Sequence, residues 1–231
     1  MTDSKKTRSV ARLLDIMARL RSPGGCPWDA EQTPETLKPH LLEEAYEVLE
    51  AIDKGDPAAI VEELGDLLLQ VVFLACIFEE RGDFDFGDVA ASISDKLERR
   101  HPHVFGDLKT RDRESLDVLW NQIKDQEKAA RGERPTDACS IPRHLPALLR
   151  ARKIAETANR RGDEPFLPTV REALTALEKA GRDGDRDSME KIFGNLLFAL
   201  VNMGRQMEID AEEALRITLN RYIRRSDELE E

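Results

Sequence analysis

The sequence predicts an all-α protein built from tandem copies of one helical bundle unit. Three observations carry that prediction. Apolar residues recur at helical spacing through most of the chain, Gly, Pro and Asp punctuate the repeats where helices end or begin, and no stretch alternates with the period of a strand. The 231 residues are 40% apolar and 35% charged, with a mean hydropathy of −0.51. That composition buries a core and keeps a water-loving surface.

The elements follow in order. Val10, Leu13, Leu14, Met17 and Leu20 define a first amphipathic helix that ends at Ser22-Pro23-Gly24-Gly25. Residues Gly25 to Asp29, GCPWD, read as a loop in which Trp28 plugs the bundle. A second helix spans Thr36 to Lys54 and stops at Gly55. Asp56 then acts as N-cap, with Pro57 in the first helical position, for a third helix reaching about Arg81. Its run from Leu67 to Phe78 is nearly all apolar. At ~1.5 Å per residue it spans roughly 18 Å, short of the ~30 Å of a bilayer, so it reads as the buried centre of a bundle. Asp85 to Arg100 gives a fourth helix, closed by Pro102, and Ser115 to Lys128 a fifth. Helical patterning resumes at Leu148–Ala158, Val170–Ala180, Met189–Met207 and Asp210–Leu229.

Polar, proline-broken sequence from 131 to 146 reads as a linker, so the expected domains are 1–130 and 147–231. The net charge of −11 argues against nucleic acid and anionic membranes as partners. Cys26, Cys76 and Cys139 are isolated and odd in number, and the start of the chain is polar rather than signal-like. Both features favour the cytoplasm.

Two acidic clusters stand out within this apolar helical sequence. Glu43-Glu44-Ala-Tyr-Glu47 is followed, after fifteen residues, by Glu63-Leu-Gly-Asp66. Glu44 and Glu47 share one helix face, and so do Glu63 and Asp66. The short Gly-Asp-Pro turn folds the two helices together, so four carboxylates converge. Their repulsion and desolvation are costly without a cation. Oxygen ligands with no histidine in either cluster point to a hard metal, Mg²⁺ or Mn²⁺, rather than zinc or di-iron. The plain alternative is a solvated acidic face paired with Lys and Arg. Mg²⁺ bound in this way ordinarily meets substrate phosphates, and Lys96 and Arg100, four apart, are candidates for holding phosphate oxygens. Trp120 and Lys124 form a second such pair, although an indole is as readily a core residue.

The second half can be laid over the first. Glu63-Leu-Gly-Asp66-Leu-Leu corresponds to Ile192-Phe-Gly-Asn195-Leu-Leu, and Asp85–Arg100 to Asp210–Arg225. Glu43-Glu44-Ala-Tyr-Glu47 is paired with Arg171-Glu172-Ala-Leu-Thr175, so that Glu44 survives as Glu172 while Glu47, Glu63 and Asp66 are lost. The copy keeps Gly65 as Gly194 and Leu67 as Leu196. It retains what folding needs and sheds what a cation needs.

These motifs resemble the MazG nucleoside triphosphate pyrophosphohydrolases of the all-α NTP pyrophosphatase group. The resemblance rests on EExxE at 43–47, ExxD at 63–66, GCPWD with Gln32-Thr33, and Lys96-Leu-Glu-Arg-Arg-His-Pro-His-Val-Phe105. It is close over about residues 8–155 and looser beyond. It implies hydrolysis of an NTP to NMP and pyrophosphate with Mg²⁺, in a homodimer whose helical cores house the sites. It implies Glu44, Glu47, Glu63 and Asp66 as metal ligands, with Glu43 as a further ligand or a group that orients water. Lys96, Arg100, Trp120 and Lys124 match positions around the nucleotide. Two-domain members often carry an intact acidic set in the second domain; here that set is degenerate, and the chain stops at Glu231 without counterparts of Trp120 and Lys124. The expectation is one MazG-like catalytic domain followed by a catalytically dead packing or dimerisation domain. The rival readings are a narrower deoxynucleotide or phosphoribosyl-ATP pyrophosphohydrolase, and a non-enzymatic dimeric regulator.

Overall fold

The computed structural model describes residues 5–108, 112–130, 132, 141–160 and 169–230. Most of the expected linker, and Cys139 within it, lie outside the described residues. All the regular structure among the described residues is helical: α1 (Lys5–Arg21), α2 (Pro27–Glu31), α3 (Pro34–Lys54), α4 (Pro57–Glu80), α5 (Phe86–Arg100), α6 (Pro102–Phe105), α7 (Arg113–Ala130), α8 (Ala147–Arg160), α9 (Val170–Asp183), α10 (Arg186–Gln206) and α11 (Ala211–Glu230). No helix among them is long and apolar enough to cross a membrane. The chain divides into two compact units, Met1–Ser115 and Leu116–Glu231. That division falls inside α7, earlier than the linker, so most of α7 groups with the second unit.

In the first unit α4 is the central helix. It packs against α3, α1 and α5. The core beneath it is Met17 of α1, Leu37 of α3, and Val72, Phe73 and Ile77 of α4, each at most 3% exposed. Burying each such side chain contributes about 1.5–3 kcal/mol. Arg21, at the end of α1, locks this packing. Its guanidinium meets the Glu80 carboxylate at 2.6 and 2.7 Å and lies 5.4 Å above the Phe73 ring. The same guanidinium donates to the backbone oxygens of Asp29 and Gln32.

That last contact explains a difference from the sequence reading. Residues 27–31 form a short helix rather than a loop. Pro27 begins it, where a missing N–H costs nothing, and Arg21 caps the carbonyls at its end. Gly25 makes the preceding reversal possible, because a Cβ there would stand 2.2 Å from the Leu20 carbonyl oxygen. Trp28 does not plug the bundle: it is 55% exposed, its indole edge-on to His40. Pro102 ends α5 as expected and at once starts the single turn of α6.

In the second unit α10 takes the central place, packed against α8, α9 and α11. Its core is built from smaller side chains, with Ala155, Ala173, Ala180, Leu196, Ala199 and Val201 all buried. Arg152 of α8 clamps Asp210, ahead of α11, at 2.6 Å.

Each unit contains a hairpin of the same design. Gly55 ends α3 in the left-handed conformation (φ 69°, ψ 20°), and Gly184 ends α9 in the same way (φ 69°, ψ 14°). An aspartate follows each glycine. Asp56 accepts from the Ala58 amide at 2.9 Å and Asp185 from the Ser188 amide at 3.1 Å, starting α4 and α10. A side chain without a Cβ is what the left-handed cap favours, and a short carboxylate is what the next N-terminus favours.

The matching turns fix the register between the hairpins. On α4 and α10 it agrees with the sequence overlay: Glu63 corresponds to Ile192 and Asp66 to Asn195. On α3 and α9 it differs by one residue. Counted back from the two glycines, Ala51 matches Ala180, both buried, while Glu44 matches Ala173 and Glu47 matches Ala176. Glu172 is therefore the partner of Glu43, not the survivor of Glu44. Its role is local: its carboxylate accepts from the Thr169 amide at 2.8 Å in a capping box. The overlay missed this because Glu-Ala is a two-letter match, whereas a left-handed glycine fixes the end of the helix.

Candidate active site

The acidic cluster continues the buried stripe of the α3–α4 hairpin past the end of its apolar core. On α3, Val48 and Ala51 are buried, and Glu44 and Glu47 each stand one turn before them on the same face. On α4, Gln70 and Val72 are buried, and Asp66 and Glu63 precede them. Carboxylate oxygens of Glu44, Glu63 and Asp66 come within 4.8 Å of one another.

Electrostatics show the strain of this grouping. The Glu44 carboxyl is held above its ordinary pKa by partial desolvation, then by the charges of Asp66 and Glu47, a hydrogen bond with Glu47, and the charge of Glu63. Glu63 is raised by desolvation, then by Glu47, Asp66 and Glu62. Lys54 opposes that rise but is itself bound to Glu50 at 2.8 Å. Glu47 is exposed and lies outside the three whose oxygens come within 4.8 Å of one another; its link to them is the charge it exerts on Glu44 and Glu63. Carboxylates that raise one another's pKa in this way are the groups whose charge a bound cation would offset.

The donor set fits a hard divalent ion. It offers oxygen only. Octahedral Mg²⁺ holds oxygens at ~2.0–2.1 Å, so opposite ligands stand roughly 4.2 Å apart. One oxygen from each of Glu44, Glu63 and Asp66 lies within 4.8 Å of the others, a spacing compatible with that span.

The other sequence candidates fall differently. Glu43 is exposed on the flank of α3, its Oε2 lying 3.8 Å from His40 Nδ1, and it does not enter the coupled group. Lys96 and Arg100 lie one turn apart on α5, both half-buried, and α5 packs against α4. Trp120 and Lys124 are one turn apart on α7, within the second unit. Two residues escaped the sequence reading. Lys54 is the cation acting on Glu63. Gln70 is only 6% exposed, and its side-chain oxygen has no hydrogen-bond partner. Leaving a buried acceptor unsatisfied costs about 1–3 kcal/mol. Its signal was present: Gln70 stands seven residues after Glu63 and four after Asp66, one polar residue within an otherwise apolar run.

The family model described as the MazG nucleotide pyrophosphohydrolase domain matches residues 32–105, which contain the whole acidic cluster together with Lys96 and Arg100. The chain is 44% identical over 229 residues to the nucleoside triphosphate pyrophosphohydrolase of Escherichia coli K12, across 96% of this chain and 87% of that protein. It is 42% identical over 224 residues to the nucleoside triphosphate pyrophosphohydrolase/pyrophosphatase MazG of Thermotoga maritima, across 95% and 84%. A crystal structure of a mazG-related protein from Thermotoga maritima aligns at 31% identity with a TM-score of 0.43, covering 49% of this chain and 97% of that one. With such identity along nearly its full length, the chain belongs to the MazG nucleotide pyrophosphohydrolase family.

Proposed function

We propose that this protein hydrolyses nucleoside triphosphates to the monophosphate and pyrophosphate, using a Mg²⁺ site held by Glu44, Glu47, Glu63 and Asp66 of the first unit. The observation that carries the reading is the set of carboxylate oxygens within 4.8 Å on one hairpin, two of them raised in pKa by burial and mutual repulsion. The bound cation supplies charge neutralisation for the triphosphate and acidifies water; Mn²⁺ is a chemically reasonable substitute. The residues of the chain do the rest. The four carboxylates, from two helices packed against each other, would hold the cation. A glutamate of the cluster takes the proton from the attacking water. Lys96 and Arg100 on α5 hold phosphate oxygens and offset the charge that builds there. Trp120 and Lys124 are assigned to the nucleotide on the family pattern alone.

The active form is a homodimer in this reading. The α3–α4 hairpin leaves Leu42, Leu49, Ile52, Val61 and Leu64 between 45% and 72% exposed, an apolar face that a second chain would cover. Residues 1–130 would then be the catalytic domain, 131–146 the linker and 147–231 a partner domain without catalytic acids. The isolated Cys26 and Cys76, free thiols in the structure, suit the cytoplasm. The names of the relatives over 96% of the chain favour an enzyme over a regulator.

The test is a panel of NTPs and dNTPs, with pyrophosphate release measured with and without Mg²⁺. Broad activity that vanishes with Glu47→Gln or Asp66→Asn supports the assignment. Activity confined to dNTPs moves it to the narrower reading, and full Mg²⁺-dependent activity in either variant removes the site.

A further inference from the structure

Gln70 is a buried polar residue whose carboxamide oxygen has no protein partner. It sits on α4 among Leu67, Leu68, Leu69, Val71 and Val72 and is 6% exposed. On the helix it falls between the directions of Glu63 and Asp66, one turn deeper into the core than Asp66. The hairpin register supplies an internal comparison. The residue matching Gln70 in the second unit is Ala199, buried to the same degree at 7% exposed. The position therefore packs inside a hairpin of this design without any polar group. The amide is present in the copy that has the four acids and absent from the copy that has Ala173, Ala176, Ile192 and Asn195 in their places.

We infer that Gln70 is a positioning residue of the metal site, its carboxamide oxygen accepting a hydrogen bond from a water molecule held by the divalent cation. The chemistry selects that partner. The unpaired atom is an acceptor, so it needs a donor. The neighbouring carboxylates are acceptors when ionised, and phosphate oxygens at neutral pH are acceptors too. Water polarised by a cation is a strong donor, and Mg²⁺ keeps several waters when only a few carboxylates bind it. A neutral amide satisfies such a water without adding a fifth negative charge to a cluster that already raises its own pKa values. Outer groups of this kind orient the ligands of a metal and tune its affinity.

The inference rests on the metal reading above, and the experiment separates the two. Gln70→Met preserves side-chain length and volume while removing the amide. Mn²⁺ binding to the full-length protein is followed by the electron paramagnetic resonance signal of the free ion, and thermal melting is recorded without metal. The expected result has two parts. The metal-free variant melts at or above the wild-type temperature, because an unsatisfied buried acceptor has gone. Its Kd for Mn²⁺ rises by about tenfold. A fall in metal-free melting temperature, failure to fold, or a Kd within about twofold of wild type overturns the inference, since a packing role gives the first two and a bystander the third. Wild-type protein that binds no Mn²⁺ at all overturns the metal site itself, and this inference with it. Gln70→Ala, which installs the residue of the second unit, should weaken Mn²⁺ binding to the same extent.

Discussion

The two hairpins of this chain share their turn, their caps and their buried positions, yet only one concentrates carboxylates. α3–α4 and α9–α10 both pass through a left-handed glycine and an aspartate cap, and both bury a residue at the matching places 51/180 and 70/199. At the four places where the first carries Glu44, Glu47, Glu63 and Asp66, the second carries Ala173, Ala176, Ile192 and Asn195. In the second hairpin the exposed flank of α9 carries both signs of charge, with Arg171, Lys179 and Arg182 beside Glu172 and Asp183 along a shallow open groove. The hairpin design therefore does not require the acids, and their mutual repulsion in the first copy is a cost that the proposed cation would offset.

The largest expected effect breaks the comparison at its centre. Glu47→Gln and Asp66→Asn should each lower kcat/KM by more than about 100-fold, the upper end of what even an outer partner of a metal costs. The matched control is Glu172→Gln, which retains a capping side chain and should leave activity within about twofold. Pyrophosphate release under identical Mg²⁺ checks both. Equal losses in the two hairpins would mean that the second is not inert.

Protons offer the next test, and the sign can be worked out. Glu44 and Glu63 have folded pKa values above their unfolded ones. Their contribution to stability is fully present below the ordinary carboxylate range and is lost as pH rises through the raised values. Metal-free protein should thus gain melting temperature from this cluster when pH is lowered from 7, and a Glu44→Gln, Glu63→Gln variant should gain less. Glu80 runs the other way. Its hydrogen bonds to Arg21 hold its carboxyl below the ordinary value, so its contribution is present above the ordinary range and is lost as pH falls through the lowered one. Glu80→Gln should flatten the acid limb of the stability curve and leave the limb near neutrality unchanged. Mg²⁺ and protons compete for the same oxygens, so Mg²⁺ affinity should rise with pH over the range in which Glu44 and Glu63 titrate.

Most of this contrast could be read from residues alone. Helix ends at Gly55 and Asp56 are set by local backbone preferences, and the acidic pairs by the helical period; both are properties of short sequence. What could not be read depends on distant contacts. The short α2 exists because Arg21, from another helix, covers its last carbonyls. The side of the boundary on which α7 falls depends on which core its Leu116, Leu119 and Ile123 meet, and an amphipathic stripe does not name its partner. In letters, Arg-Glu-Ala-Leu of α9 matches Glu-Glu-Ala-Tyr of α3 one residue away from the register that Gly55 and Gly184 set. The cap glycine, a backbone feature, resolves it. Gln70 was visible as a letter, but its unpaired oxygen is a fact of packing.

The smallest effect concerns a residue on which the two copies agree. Gly65 and Gly194 occupy equivalent places within α4 and α10, both exposed, and a Cβ built at either meets nothing within 4 Å. Glycine inside a helix costs about 1 kcal/mol relative to alanine, and nothing in the single chain accounts for keeping it twice. Exposed apolar side chains flank both sites: Val61, Leu64 and Leu68 on α4, Phe193, Leu197 and Leu200 on α10. A closely approaching helix of a second chain would account for the glycine where open solvent does not. Gly65→Ala should therefore weaken self-association, read as a shift toward monomer in sedimentation at low micromolar protein. On a bare surface the same change would raise the melting temperature and leave the mass unaltered. The direction of that one methyl group decides whether the hairpin face is an interface, and Gly194→Ala asks the same of the copy that has lost its acids.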